Sequence, residues 1–243
     1  MTLRDLNNLA FLHRERARFS AGTSVLLGVT LEPGQTDGIV IDVREVTDLY
    51  RVVPAAGGGA TAGAFVSLTA LAAGVPGVVP GDTTLAGARM RLALHDAHVV
   101  VYGRGSTRNA RFDDLSCAPY EIPALIAIPP PAPGIGIAER RRATQDGAAS
   151  FALGVSVALR VSLLGRFERV RVLVDLDGAV RRTPAAEAAL EGQRCERDRF
   201  PDVARLAAAA IPPDDARSSA IARSLLPLAL AALRDAFAAA RPA

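Results

Sequence analysis

The chain has 243 residues, half of them hydrophobic, and a formal net charge of +3 from 28 basic and 25 acidic side chains. No apolar run approaches the ~20 residues of a membrane-spanning helix, and Met1-Thr-Leu-Arg-Asp lacks the basic-then-apolar layout of a secretion signal. The expectation is a cytoplasmic protein with no membrane partner. All basic residues are Arg, spread out and without interleaved aromatics, which argues against a nucleic-acid partner.

Thr2 to Arg16 reads as an amphipathic helix, with Leu3, Leu6, Leu9 and His13 at helical spacing and Thr2 as N-cap. Gly38 to Asp42 is a nearly continuous apolar strand, as expected of a buried one. A short helical turn over Val43 to Tyr50 and a strand Arg51 to Pro54 follow, then the glycine turn Gly57-Gly58-Gly59. Thr61 to Phe65 is a strand, and Ser67 to Ala73 a short helix capped by Ser67. Gly74 to Gly81 is a Pro/Gly-rich turn. Arg89 to Tyr102 fits either a helix and a strand or a hairpin turning at His95-Asp96, and Val99-Val100-Val101 marks its second half as strand. Glu121 to Pro129 is another strand. The prolines and glycines of Pro129 to Gly136 end it and set the domain boundary, dividing the chain into 1–133 and 134–243.

Beyond the boundary, Phe151 to Leu163 and Arg166 to Asp175 are strands joined at Gly165. Pro184 to Leu190, Phe200 to Ala210 and the Ala-rich Ser218 to Ala240 are helices, although Pro227, Arg234 and Asp235 interrupt the apolar character of the last. Strands followed by helices indicate an α+β fold. Aromatics are only 5% of residues and Trp is absent, so the core is expected to be aliphatic.

Ser20-Ala21-Gly22-Thr23-Ser24, after Arg18 and Phe19, is the segment most suggestive of chemistry. Small residues let backbone N–H groups point outward around a phosphate, and two hydroxyls add donors. The same residues also make ordinary turns. Gly134-Ile-Gly136 lacks the third glycine and the strand–helix context of a dinucleotide fingerprint. His13, His95 and His98 have no Ser, Cys or carboxylate placed beside them by sequence, so no catalytic residue is assigned. Asp214-Asp215 suits a helix N-terminus, Asp175 and Asp177 a turn, and Arg140-Arg141-Arg142 a solvated or inter-subunit patch. Cys117 and Cys195 stand in no metal-ligand spacing and read as plain thiols, and no metal site is expected.

The order of these features resembles the FAD-binding medium subunit of the molybdenum hydroxylases, the family of carbon monoxide dehydrogenase and xanthine dehydrogenase. The family's Ala-Gly-Gly-Thr-Asp diphosphate loop is similar to Ser20-Ala21-Gly22-Thr23-Ser24, and its Ile-Asp-Leu…Leu pattern to Ile41-Asp42-Val43…Leu49. The Ile-Gly-Ala…Thr segment beside the flavin resembles Ala62-Gly63-Ala64-Phe65-Val66-Ser67, and Pro-x-Glu…Ile-x-Ile-Pro resembles Pro119-Tyr120-Glu121…Ile126-Ala127-Ile128-Pro129. In the second domain, Arg141-Arg142 through Phe151-Ala152-Leu153, Pro184…Glu187…Leu190-Glu191-Gly192 and Asp214-Asp215-Ala216-Arg217-Ser218-Ser219-Ala220 match in order.

The resemblance implies a truncated two-lobed FAD-binding domain over 1–133 and a small sheet-plus-helices domain over 134–243. It implies an oxidoreductase subunit that passes electrons from iron–sulfur clusters through FAD to an acceptor. The implied partners are a molybdenum-cofactor large subunit and a 2Fe-2S small subunit. Ser20, Ala21, Gly22, Thr23 and Ser24 would hold the diphosphate, Gly63, Ala64 and Ser67 would lie near the ring, and Asp82 would bind a polar group of the flavin. The chain departs from the pattern in several places. It runs from Leu71 into Gly74-Val-Pro-Gly-Val-Val-Pro-Gly-Asp82 without the family's second glycine loop. Ala21 replaces a glycine, and Ser24 and Ser150 stand for Asp. The family's first strand is also expected to be absent, since Met1 nearly opens the first helix. Each lost contact to a charged group removes ~1.5–3 kcal/mol, so two or three weaken FAD binding by roughly three or more orders of magnitude. The alternative reading is a flavin-less structural subunit that keeps the fold for complex assembly.

Overall fold

The computed structural model describes residues 24–27, 38–41, 46–79, 85–102, 107–112, 115, 117, 121–146, 149–177, 179–210 and 216–240. The expected helix over 2–16, Ser20 to Thr23, Asp42-Val43, Asp82, Pro119-Tyr120 and Asp214-Asp215 lie outside the described residues. The architecture is α+β, and the chain divides into two compact units, residues 1–82 with 95–130 and residues 83–94 with 131–243.

In the first unit, β1 (Ser24–Leu27) and β2 (Gly38–Ile41) form a parallel pair. A separate antiparallel sheet has the order β3-β4-β7-β5-β6. Its strands are β3 (Val52–Pro54), β4 (Ala60–Gly63), β5 (His98–Tyr102), β6 (Thr107–Arg111) and β7 (Ile122–Ile128). Along β5 the alternation buries Val99 and Val101, which meet Ala110, Phe112, Leu115 and Ile126. Helix α1 (Leu68–Gly74) starts where expected, because the Ser67 hydroxyl accepts from the Ala70 N–H at 3.2 Å.

Arg89 to Tyr102 resolves as helix plus strand: α2 (Leu85–Leu94) ends before β5, with Asp96 at φ 54° in the connection. Asp tolerates this left-handed conformation better than most residues. Strand β6 was not anticipated. Its sequence, Thr-Arg-Asn-Ala-Arg, has little β propensity and is organised by its pairing with β5.

The second unit is built on an antiparallel sheet of order β11-β10-β9-β8. These strands are β8 (Ile135–Asp146), β9 (Ala149–Val161), β10 (Phe167–Leu176) and β11 (Ala179–Arg182). Leu153, Val155, Val157 and Leu159 of β9 all face one side. They pack with α3 (Pro184–Leu190), α4 (Phe200–Ala208) and α5 (Ala216–Ala239). Helix α4 shows why it forms: Phe200, Val203, Ala204, Ala207 and Ala208 are buried at i, i+3, i+4, i+7 and i+8. Helix α5 runs through Pro227, which lies on its exposed side, while Leu225, Ala229, Ala232, Leu233 and Ala236 make its buried stripe. The core is aliphatic apart from Phe167, Phe200 and Phe237, whose rings stand 5.7–6.0 Å apart in tilted and edge-on arrangements.

The opposite face of this sheet is covered by α2 through Met90, Ala93 and Leu94 against Ala158 and Leu173. Strand β8 was expected only as a boundary turn and a solvated basic run. It is instead a twelve-residue strand whose charges are absorbed locally. Arg141 pairs with Glu139 at 2.5 Å and with the buried Asp175 at 3.2 Å, and Arg140 donates to Asp235 at 2.7 Å. All three arginines are nonetheless exposed, in keeping with a solvated or inter-subunit patch.

Gly136 of β8 is required by close approach, since a Cβ there would lie 1.9 Å from the Ala236 carbonyl oxygen of α5. Gly165 has open space around it and needs only its positive φ of 67°. Gly136→Ala is therefore expected to cost roughly 3 kcal/mol by forcing backbone apart. Gly165→Ala is expected to cost about 1 kcal/mol from conformation alone. Urea unfolding of the two variants checks the order, and equal losses would contradict the packing described.

Candidate functional site

The ring-side segment of the expected site begins at the end of β4. Gly63 pairs with Leu125 of β7 there and donates its N–H to the Arg51 carbonyl at 2.9 Å. The 3-10 turn Thr47–Leu49 packs against this position, with Leu49 fully buried. A Cβ on Gly63 would sit 2.2 Å from the Leu49 carbonyl oxygen and 2.4 Å from that of Asp48. The space a side chain would occupy is thus filled by the chain's own backbone. Glycine is needed here for close packing.

The following amides are engaged in the same way. Ala64 N–H donates to the Ala124 carbonyl at 2.9 Å, Phe65 N–H to the Leu49 carbonyl at 2.9 Å, and Val66 N–H to the Gly63 carbonyl at 3.2 Å. The Ser67 hydroxyl caps α1. The Tyr50 and Phe65 rings stack at 5.8 Å beside the turn. Four consecutive backbone donors, from Gly63 to Val66, are therefore satisfied within the chain. A flavin lying beside Gly63 and Ala64 would therefore draw no free backbone donor from these four amides.

Gly63, Ala64 and Ser67 are brought together by chain continuity, on β4 and the start of α1. Ser24 opens β1, in a different sheet. Ser20, Ala21, Gly22, Thr23 and Asp82 lie outside the described residues. A depression of about 200 Å³ on the β3–β4 strands is lined by Asp48, Arg51, Val53, Thr61 and Leu125, below the volume of a drug-sized ligand site.

Among the described residues, no cluster of three or more His, Cys, Asp or Glu is arranged to hold a metal, and no helix is long and apolar enough to cross a membrane. Burial raises the Cys117 thiol, assisted by Glu121 and opposed by Arg108, and burial alone raises Cys195. Both thiols stay protonated and weakly nucleophilic near neutral pH.

The second-unit motif Pro184…Glu187…Leu190-Glu191-Gly192 has a structural explanation that sequence reading missed. The Glu187 carboxylate is buried, accepts the Val172 N–H at 3.1 Å and holds Arg182 through contacts of 2.6–2.9 Å. Glu191 accepts the N–H groups of Arg169 and Val170 at 3.1 and 2.8 Å. Arg169 has φ 52° at an irregularity of β10, so Glu191 supplies the acceptor that this bulge would otherwise lack. Gly192, at φ 73°, then turns the chain out of α3. These residues fasten helix to sheet. Glu187→Ala is expected to lower stability by roughly 3 kcal/mol, because it removes the buried carboxylate's ion pair with Arg182 and leaves the Val172 N–H without its acceptor. A thermal melt of the variant checks this, and an unchanged transition would contradict the role.

No protein-family model and no curated protein matches the sequence. Solved structures do match. A chain of carbon monoxide dehydrogenase from Hydrogenophaga pseudoflava, in a form lacking the Mo-pyranopterin moiety of the molybdenum cofactor, aligns with TM-score 0.65 and 19% identity, covering 99% of this chain and 97% of that one. Reconstituted CO dehydrogenase from Oligotropha carboxidovorans gives TM-score 0.59 and 20% identity over 83% and 82%. Quinoline 2-oxidoreductase from Pseudomonas putida 86 gives 0.62 and 15% over 98% and 95%. At these identities the likeness is one of fold, and it extends along nearly the whole chain.

Proposed function

We propose that the chain is the medium, flavoprotein-type subunit of a molybdenum hydroxylase complex, and that it serves there as a flavin-less structural subunit. Its domains would be a degenerate FAD-binding domain over 1–133 and a C-terminal domain over 134–243. Its partners would be a molybdenum-cofactor large subunit and a 2Fe-2S small subunit, in the cytoplasm. The observation that carries this reading is the internal use of the Gly63 to Val66 amides in a fold otherwise kept from end to end. Packing residues and site residues are separable, so a fold persists for its surfaces after a site is lost.

A second reading is an electron-transfer subunit that retains FAD. The small-residue run Ser20 to Ser24, with the Thr23 and Ser24 hydroxyls, favours it.

Co-expression of this chain with a molybdenum-cofactor subunit and a 2Fe-2S subunit, followed by purification and release of bound nucleotide, separates the two. The structural reading predicts a complex that forms only with this chain present and holds FAD far below one per chain. FAD released in proportion to this chain would overturn it in favour of the second reading. A chain that joins neither subunit would overturn both.

A further inference from the structure

The bulge in β10 holds a residue that its backbone geometry does not favour. Glu168 pairs with Arg160 and Arg171 with Ala158, so Arg169 and Val170 together oppose a single residue of β9. Arg169, the first of the two, has φ 52°. A left-handed residue at this place in a bulge is ordinarily glycine, because a Cβ is disfavoured there. The bulge itself is held by Glu191, which accepts the Arg169 and Val170 N–H groups at 3.1 and 2.8 Å. These backbone contacts do not involve the Arg169 side chain. An arginine kept in a disfavoured conformation, where glycine would serve the backbone better, is a sign that the side chain is used.

The bulge places that side chain at a depression of about 550 Å³, whose lining includes Arg169, Arg171, Arg182, Pro184, Glu187 and Glu191. The volume lies within the roughly 300–1,000 Å³ of small-molecule sites. Three guanidinium groups against two carboxylates leave the lining with a net charge of +1. Both carboxylates are already engaged. Glu187 holds Arg182 and accepts the Val172 N–H, and Glu191 accepts the two bulge amides. Arg171 is braced along the strand, with Nη1 donating to the Val170 carbonyl at 3.0 Å. Among the described residues, the Arg169 guanidinium has no hydrogen-bond or ion-pair partner. Its fixed fork of donors therefore stands at a cavity of excess positive charge, with Pro184 as an apolar wall.

We propose that this depression binds a small organic anion, whose carboxylate or phosphate head is taken by the Arg169 guanidinium and whose apolar body lies against Pro184. The planar guanidinium matches the paired oxygens of either head through two parallel hydrogen bonds. Arg171 adds positive charge, while the Glu187–Arg182 pair and Glu191 fix the walls. The site lies wholly within the second unit, so it is independent of whether the first unit holds a flavin.

Isothermal titration of the full-length chain with benzoate and with phenyl phosphate tests this, since the two probes share an apolar body and differ in the head. Wild type is compared with R169Q, R169G and the control R205Q, an exposed arginine of α4 outside the depression, and a melting curve is recorded for each. Wild type is expected to bind at least one probe saturably, and the probe bound identifies the head. R169Q is expected to weaken that binding roughly tenfold or more, while R205Q binds as wild type. R169G is expected to lose binding as R169Q does and yet to melt at a higher temperature, because glycine accepts the left-handed conformation without strain. No saturable binding of either probe to wild type would overturn the proposal. So would equal binding by wild type and R169Q, or melting temperatures lowered in both Arg169 variants with binding unaltered, which would make the arginine purely structural.

Discussion

The absence of a Cβ at Gly63 lets the carbonyls of Asp48 and Leu49 close onto β4. Much of the first unit follows from this contact. The 3-10 turn is seated on the strand, Phe65 N–H reaches the Leu49 carbonyl, and the chain leaves β4 already turned toward the Ser67 cap of α1. Such packing leaves no backbone donor from Gly63 to Val66 facing outward. One glycine therefore decides both how this region packs and what it can hold. An isolated glycine in a small-residue run suits a ligand-approach site and a backbone-packing site equally well, and only the neighbour's position tells them apart.

The second unit depends on a different device. Its sheet is covered on both faces, by three helices on one side and α2 on the other. The charges that its strands carry must then be matched at the sheet itself. Asp175 lies almost wholly buried against Arg141, and Glu187 against Arg182 and a strand N–H. A buried carboxylate is tolerated only when paired and hydrogen-bonded, so these ion pairs fix register and helix placement together. The leucine pair at the β9–β10 turn departs from this pattern, with apolar surface left in water.

Elements with strong local signals were legible in the sequence. The period of α4, the Ser67 cap, the valine run of β5 and the Gly165 turn all state their structure in neighbouring residues. The α+β class and the likeness of fold followed from the order of such signals. Strands β6 and β8 were not legible, because Thr107 to Arg111 and Glu139 to Arg142 are polar stretches that become strands only through partners distant in sequence. The ion pairs of Arg140 and Arg141 were hidden for the same reason: Asp175 and Asp235 come near only in the fold. At the candidate site the Ser67 hydroxyl caps α1 as its sequence indicates, whereas the carbonyls that engage the Gly63 and Ala64 amides, those of Arg51 and Ala124, come near only in the fold.

Amide hydrogen exchange at Gly63, Ala64, Phe65 and Val66, followed with and without added FAD, tests the central claim most directly. The account predicts slow exchange at these four amides in the nucleotide-free protein, unchanged when FAD is added. Fast exchange that slows on adding FAD would show those donors to be free for a ligand and would contradict the account.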